Sequence, residues 1–419
     1  MNTHANESPQ ALAGLRVLEL SDEKGQQCGK LLADLGATVI KVEPPEGSPS
    51  RYVGPFFNDR NDVNASLHFW HYNTNKRSIT LDTASPKGRR LLLRLMKTAD
   101  VIIETLPPGT MAARGLGYAQ AQKANPRIVY CSITPYGQSG PWAGYAGSDL
   151  TLLASGGIMA LCGYDPADDP RQQPIAPGGG NALLIGDGFA CLSILAAIHM
   201  RGVHGNGNFI DVSIQEAVAL CTEVAFPMFS MTGQEQVRHT GRHAIPTDLP
   251  KIQFLCKDGR YVNCFTPRLD PDGFIRLRAW LAKHNLAGEL MNERLTDPEV
   301  LITSMMPVFE AVGRLASLCT ARDFCTEAQR IGLPWTIVQA PSDLLDDAHL
   351  KARKFFVDVS HQEIGNAITY PGAPYKLHGA PWRVRRRAPL LGEDNITVYH
   401  DELGLSLTHI KGLDDAGVI

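Results

Sequence analysis

Asp187 has a setting that ordinary packing does not readily explain. It stands between Gly186 and Gly188, after the apolar run Ala182-Leu183-Leu184-Ile185 and ahead of a mostly apolar helical stretch. Two readings fit. The plain one is a helix N-cap, in which the carboxylate accepts an N2 or N3 amide and stabilises the helix by about 1 kcal/mol. The other is a partly desolvated nucleophile, with glycines on both sides that let a substrate approach the backbone. Both can hold together, because amides that orient one carboxylate oxygen leave the other free to attack.

Other residue clusters carry weaker signals. Lys76-Arg77, within HYNTNKRSITLD (71–82), lies where a loop enters a strand. Two cations at a strand mouth could hold a phosphate, or could simply be a solvated pair. Arg383, Arg385, Arg386 and Arg387 form the densest positive patch. With 40 basic against 43 acidic residues and little aromatic interleaving, that patch reads as a solvated strand and not as a nucleic-acid stripe. The turn Gly137-Gln138-Ser139-Gly140-Pro141 is either a tight loop or a substrate-facing one.

Several chemistries are excluded. The turn Ser21-Asp22-Glu23-Lys24-Gly25, after the first strand, has one glycine where a dinucleotide fingerprint needs three, and its acids would repel a pyrophosphate. P-loop and GxSxG patterns are absent, which removes ordinary kinase and serine-hydrolase readings. The 13 His include no HExxH, and no His/Cys grouping has metal spacing, so no metal is expected. Nine Cys, an odd number without a CxxC pair, suit the reduced thiols of a cytoplasm better than a disulfide framework. The greasiest stretch, 182–198, is interrupted by Asp187 and reads as too short to span a bilayer. The polar start MNTHANESPQ rules out a signal peptide and reads as a loose end.

The elements that must position these residues follow from pattern. A strand is expected over 15–20 (LRVLEL), a helix over 25–35 stopped by Gly36, and a strand over 37–42 (ATVIKV), which completes a βαβ unit. A second round runs through a strand at 78–81 and a helix begun by Ser85-Pro86 and ending at Lys97, with further strands at 101–104 and 128–133. Such alternation predicts an α/β fold: a Rossmann-like large domain, with a parallel sheet covered by helices on both faces. Gly178-Gly179-Gly180 then precedes a long buried helix over 182–200, and 205–211 turns back into a strand. At 419 residues, two domains are the default. The large domain is assigned 1–217, a linker 218–250, a smaller α+β domain 251–330 opening on a hairpin around Lys257-Asp258-Gly259, and a second linker 331–345. The remainder reads as turn-rich strands.

Taken together, these segments resemble the class III CoA-transferases (the CaiB/BaiF family), the group that includes formyl-CoA:oxalate and carnitine CoA-transferases. The resemblance covers about 11–419 and rests on LLADLGATVIKVEPPEG (31–47), NTNKRSITLD (73–82), ADVIIETLPPGTMAARGLGY (99–118) and YGQSGPWAGYAGSDLTLLASGG (136–157). IGDGFACLSILAAIHMRGVHGNGNFIDVSIQEA (185–217), KDGRYV (257–262) and APLLGEDN (388–395) complete it. It implies that Asp187 is the aspartate that attacks an acyl-CoA thioester, and that CoA passes through an aspartyl thioester to an acceptor carboxylate. Exchange of one carboxylate for another is nearly isoenergetic, so neither ATP nor a metal is required, and CoA enters as a thioester substrate with no permanently bound cofactor. Gly186 and Gly188 would offer oxyanion amides, with Gln138 facing the substrate. Asn75, Lys76, Arg77, Thr105, Leu106 and Arg114 would contact CoA.

The sequence departs from the family pattern at several points. Thr105-Leu106 stand where Asn-Phe is usual, Ala113 takes the place of an Arg that is displaced to Arg114, and Pro44 follows Glu43 where some members have Arg. The loop 22–25 lacks the usual Gly-Pro, and no glycine-run lid follows residue 200, which disfavours oxalate. Met159, Tyr164 and the Gln138 turn are pocket candidates, and a medium-sized organic acid with succinyl-CoA as donor is the family-level expectation. The resemblance also implies that 346–419 returns to the large domain and that two ring-like subunits interlock as a homodimer, with no nucleic acid or membrane as partner.

Two alternatives stand beside this. The same superfamily contains α-methylacyl-CoA racemases, whose base is a His in a Gly-His-Asp turn; here the turn is Gly147-Ser148-Asp149, and serine is too weak a base to remove an α-proton. The other is a CoA-binding protein without turnover. An acyl-CoA incubated with the protein in deuterated water, without an acceptor acid, is expected to gain no deuterium at its α-carbon by mass spectrometry; uptake would favour the racemase.

Overall fold

Short β-branched runs and amphipathic helices alternate through the first third of the chain, and the computed structural model shows what they build. It describes residues 10–167, 170–242, 244, 249–266 and 269–419. The polar start (1–9) and part of the expected first linker (243 and 245–248) lie outside the described residues. The elements in order are β1 (Arg16–Leu20), α1 (Gln26–Asp34), β2 (Thr38–Glu43), α2 (Leu67–Tyr72), β3 (Arg77–Thr80), α3 (Pro86–Met96) and β4 (Val101–Glu104). Then come α4 (Thr110–Ala113), α5 (Tyr118–Ala124), β5 (Val129–Thr134), α6 (Asp149–Ser155), α7 (Asn181–His204), β6 (Phe209–Ser213) and α8 (Ile214–Leu220). The expected strands and helices of this region fall within one to four residues of these bounds.

The strands form one six-stranded sheet of order β3-β2-β1-β4-β5-β6, every neighbour parallel. Val17 lies opposite Val39 on one side and Val101 on the other, and all three are fully buried, as a sheet covered on both faces requires. The strand order reverses between β1 and β4. That reversal opens a crevice at the carboxyl ends of the strands, where ligands of open parallel sheets bind.

Two units divide the chain. The first takes the described residues up to 156 with 178–221 and 348–419, and the second takes 157–177 and 222–347. The C-terminal segment closes an exposed sheet edge in the first unit. The edge-strand amides of Ser78 and Thr80 donate to Asp394 Oδ2 and Asn395 Oδ1, both at 2.9 Å, so side chains of the GEDN stretch replace a missing strand. The second unit pairs β7 (Gln253–Leu255), β8 (Tyr261–Asn263) and β9 (Thr336–Ile337) antiparallel. Helices between β8 and β9 bury Phe274, Trp280, Phe309 and Phe324 with Trp335. Three assignments differ from expectation. The expected first linker, 218–250, carries the helix Ala225–Thr232 and from 222 belongs to the second unit. Residues 157–177 join the second unit, where Asp165 pairs with His239 at 2.9 Å, and the expected second linker carries β9.

Among the described residues one helix, α7, is long and apolar enough to cross a membrane, judged by length and composition. The apolar run weighed from sequence as too short to span ended at 198 and the expected helix at 200, whereas the helix runs on to His204. In this fold α7 packs on α1, α6, α8, β5 and β6.

A layer of buried charge lies under α1. Glu19 on β1 pairs with Lys41 of β2 at 2.9 Å and with Lys76, just before β3, at 2.7 Å, all fully enclosed. Burial pushes the Glu19 carboxyl up, and the two lysines more than offset it, so Glu19 stays ionised. Glu43 of β2 pairs with Arg51 through two contacts, at 2.6 and 2.8 Å, and Arg51 also donates to Pro389 O at 3.1 Å. Gly29 lets α1 settle on this layer, because a Cβ there would fall 1.7 Å from Glu19 Oε2. Gly29→Ala is therefore expected to destabilise the protein by about 3 kcal/mol in denaturant titration, through displacement of the buried pair. Helix propensity alone would stabilise it by about 1 kcal/mol, and that result would contradict this account of α1.

Candidate active site

The first turn of a helix leaves its amides without intrahelical acceptors. In α1 no side chain from its own approach segment caps them: the N-cap residue is Gly25, held at φ 80°, where glycine is favoured. The acceptor comes instead from α7. Gly25 N donates to Asp187 Oδ1 at 2.7 Å, and Gln27 N and Cys28 N donate to Oδ2 at 2.9 and 3.3 Å. Asp187 thus caps a helix 160 residues away in sequence, with both oxygens engaged.

This corrects the N-cap reading. α7 begins at Asn181 with Gly180 as its N-cap residue, so Asp187 lies on the second turn of its own helix. The cap of α7 is Asp149, whose Oδ1 accepts from Ala182 N at 2.7 Å and Leu183 N at 3.4 Å. Gly186 and Gly188 are corrected too. Inside α7 the helical ladder takes their amides, which leaves them unable to form an oxyanion hole. Gly186 serves packing, since a Cβ there would meet Ile214 of α8 at 2.8 Å.

Asp187 is 1% exposed. Burial pushes its carboxyl up to about 7 against the pull of the three amides, with the charge of Glu19 adding a little. The α2 helix supplies the surroundings. His68 Nε2 and Gln26 Nε2 lie 2.7 Å apart, and burial followed by the charges of Asp187 and Asp149 raises the Tyr72 hydroxyl. Burial holds His71 down at about 4, so it is neutral at pH 7. Sequence reasoning missed this aromatic and histidine group, although the dense run HFWHY (68–72) was the available signal.

The residues expected to contact CoA divide into two groups. Thr105, Leu106 and Arg114 come together with Asp22, Pro44 and Thr83 around a cleft of about 420 Å³ at the β1/β4 reversal. There Thr105 Oγ1 bonds Asp22 Oδ1 at 3.0 Å and Arg114 Nη1 donates to Thr83 Oγ1 at 2.7 Å. Asn75, Lys76 and Arg77 are committed elsewhere. Lys76 is fully buried, and its three donors are taken by Glu19, Gln26 O (2.8 Å) and Asn73 Oδ1 (2.9 Å); burial brings it down to about 8. Asn75 binds Asp34 and Arg383 O and accepts from the Arg385 and Arg386 amides, tying the C-terminal segment down. Arg77 pairs with Glu402, which also holds Arg16 at 2.6 Å. Gln138 is bound at its amide by Asp211 (3.0 Å), while its side chain donates to Ser132 Oγ at 2.7 Å.

Asp187 is capped and buried, and comparison with known proteins decides the family. A family model described as CoA-transferase family III matches residues 12–395. The chain belongs to this family. It is 31% identical, over 92% of each chain, to a succinyl-CoA:(R)-benzylsuccinate CoA-transferase subunit (BbsE) of Thauera aromatica. It is 30% identical to the succinyl-CoA–L-malate CoA-transferase beta subunit of Chloroflexus aurantiacus, over 97% of this chain and 98% of that one. Among solved structures, a CAIB/BAIF family protein from Brucella suis superposes with a TM-score of 0.78 at 28% identity, over 94% of this chain and 99% of that one. As a family III CoA-transferase, the protein is an enzyme that moves CoA from a thioester substrate to a carboxylic acid. The racemase alternative gains no support.

The site generates a direct titration. The folded Asp187 keeps its proton up to about 7, while an unfolded chain releases it near 4, so folding stability from this group falls as pH rises between those values. Difference infrared spectra of wild type against Asp187→Asn should show a protonated carboxyl band that vanishes as pH rises through about 7. A band already absent at pH 5 would contradict the burial account.

Proposed function

We propose that Asp187 is the nucleophile of this CoA-transferase. The supporting observation is a carboxylate sealed from water yet held by three backbone amides at a helix N-terminus. One oxygen attacks the thioester carbonyl, the C–S bond breaks, and a mixed anhydride forms with CoA thiolate. The thiolate attacks the Asp187 carbonyl, releasing the donor acid and leaving an aspartyl-CoA thioester. The acceptor carboxylate then attacks, and CoA passes to it by the reverse steps. The amides of Gly25, Gln27 and Cys28, not those of Gly186 and Gly188, are the donors nearest the developing charge, and the α1 N-terminus favours it. Exclusion of water protects the anhydride from hydrolysis.

The nucleotide end of CoA is assigned to the cleft of Thr105, Leu106 and Arg114, with Arg114 as the phosphate cation. Succinyl-CoA as donor and a medium-sized organic acid as acceptor suit the relatives named above. The interlocked homodimer is supported by apolar surface that a single chain leaves bare: Leu192 and Val203 of α7 are 63% and 69% exposed. In the second unit the helix Ala225–Thr232 buries no residue, with Phe226 and Met231 at 74% and 85%. Two relatives are named as subunits, so a related second chain is the other partner to test. A cytoplasmic location suits nine free thiols.

Hydroxylamine added during incubation with succinyl-CoA is expected to convert Asp187 to its hydroxamate, detected by peptide mass. Asp187→Ala should lower exchange by about 10³-fold or more. An active alanine variant would refute the assignment.

A further inference from the structure

Two thiols lie beside the Asp187 carboxylate. Cys28 is the third residue of α1, and its amide is one of the three that hold Asp187. Cys191 follows Asp187 by four residues on α7, which places both on one face of that helix. α1 and α7 pack together along this seam, so the two thiols flank the same carboxylate, close enough for each to shift the other's titration. Both are free thiols; Cys28 is fully enclosed, while Cys191 keeps an edge that is 7% exposed. The transfer reaction uses neither sulfur.

We infer that Cys28 and Cys191 form a reversible disulfide that switches the enzyme off under oxidising conditions. The oxidant is a peroxide. A Cys191 thiolate attacks the O–O bond of hydrogen peroxide, giving a sulfenic acid and, with a proton, one water. The Cys28 sulfur then displaces the sulfenic hydroxyl, which leaves with the Cys28 proton as a second water. Two thiols and one peroxide become one disulfide and two waters, with two electrons passing from sulfur to oxygen. Cys191 acts first because it is the more open, and because the neighbouring Cys28 thiol holds it below the usual range. That same contact, followed by burial, pushes Cys28 up and keeps it protonated until it is needed.

The consequence follows from bond length. An S–S bond of about 2.05 Å is far shorter than any contact between two unbonded sulfurs, so closing it draws the first turn of α1 onto α7. The amides of Gln27 and Cys28 move with that turn and pin the carboxylate they hold. The crosslink needs only the geometry of the two thiols; its inhibitory effect rests on Asp187 being the nucleophile.

The test oxidises the purified full-length enzyme with hydrogen peroxide, alkylates the remaining thiols, and maps peptides by mass spectrometry without reduction. Activity is followed as exchange of labelled succinate into succinyl-CoA. The expected result is a Cys28–Cys191 linked peptide, loss of two thiols, and at least about tenfold slower exchange that dithiothreitol restores. Cys191→Ala should keep its basal rate within about twofold and lose its sensitivity to peroxide. Sulfenic or sulfinic acid without a linked peptide, a crosslink with full activity, or equal inhibition of Cys191→Ala would each overturn the switch. Exchange by reduced Asp187→Ala would refute the nucleophile assignment and its inhibitory corollary, while the peptide map still decides the crosslink.

Discussion

A carboxyl group that loses its water needs donors that cost nothing to aim, and the start of α1 supplies them. Free amides at a helix N-terminus already point outward and already favour negative charge. Asp187 satisfies three of them, and they in turn oppose the rise that burial forces on its titration. Neither partner is complete alone: α1 has no cap of its own, and Asp187 has no other hydrogen-bonding partner described. Position, burial and titration of the aspartate all depend on that one contact between elements far apart in sequence.

The rest of the large unit fixes where α1 can lie. Gly29 sets the helix directly on the Glu19–Lys76 pair, and Lys76 reaches past it to accept no substitute partner, since Gln26 O and Asn73 occupy its other donors. A buried charge pair of this kind is weak support for net stability, but it is strict about geometry. On the opposite side Asp149 starts α7 one and a half turns ahead of Asp187, which rotates the carboxylate toward α1. The C-terminal segment serves the same end, because Asp394 and Asn395 close the β3 edge and Arg51 ties Glu43 to Pro389. Motifs that resemble ligand contacts in sequence are, in several cases, the fasteners of this scaffold.

That explains what could be read from the chain alone. The βαβ alternation was legible because buried strands are apolar and helix starts carry Ser-Pro or glycine signals, and the sheet follows those signals closely. Asp187 stood out because a charge inside an apolar run demands a partner. Its partner was not legible, since backbone amides carry no residue identity and lie 160 positions away. Lys76 misled for a related reason: a cation at a strand mouth looks available until its three acceptors are counted in space. Thr105, Leu106 and Arg114 do gather at one cleft, because all three lie in the segment that leaves the carboxyl end of β4. The boundary near 157 was missed because Asp165 and His239, which tie that segment to the second unit, sit in stretches without periodic pattern.

The central claim is that one oxygen of Asp187 is exchanged with its substrates in each cycle. Feeding an acceptor acid labelled with heavy oxygen in its carboxylate, with succinyl-CoA as donor, tests it most directly. The account predicts that the peptide carrying Asp187 gains one heavy oxygen as turnover proceeds. An unlabelled Asp187 peptide after many turnovers, with the missing label found in the released succinate, would show direct transfer between substrates and contradict it.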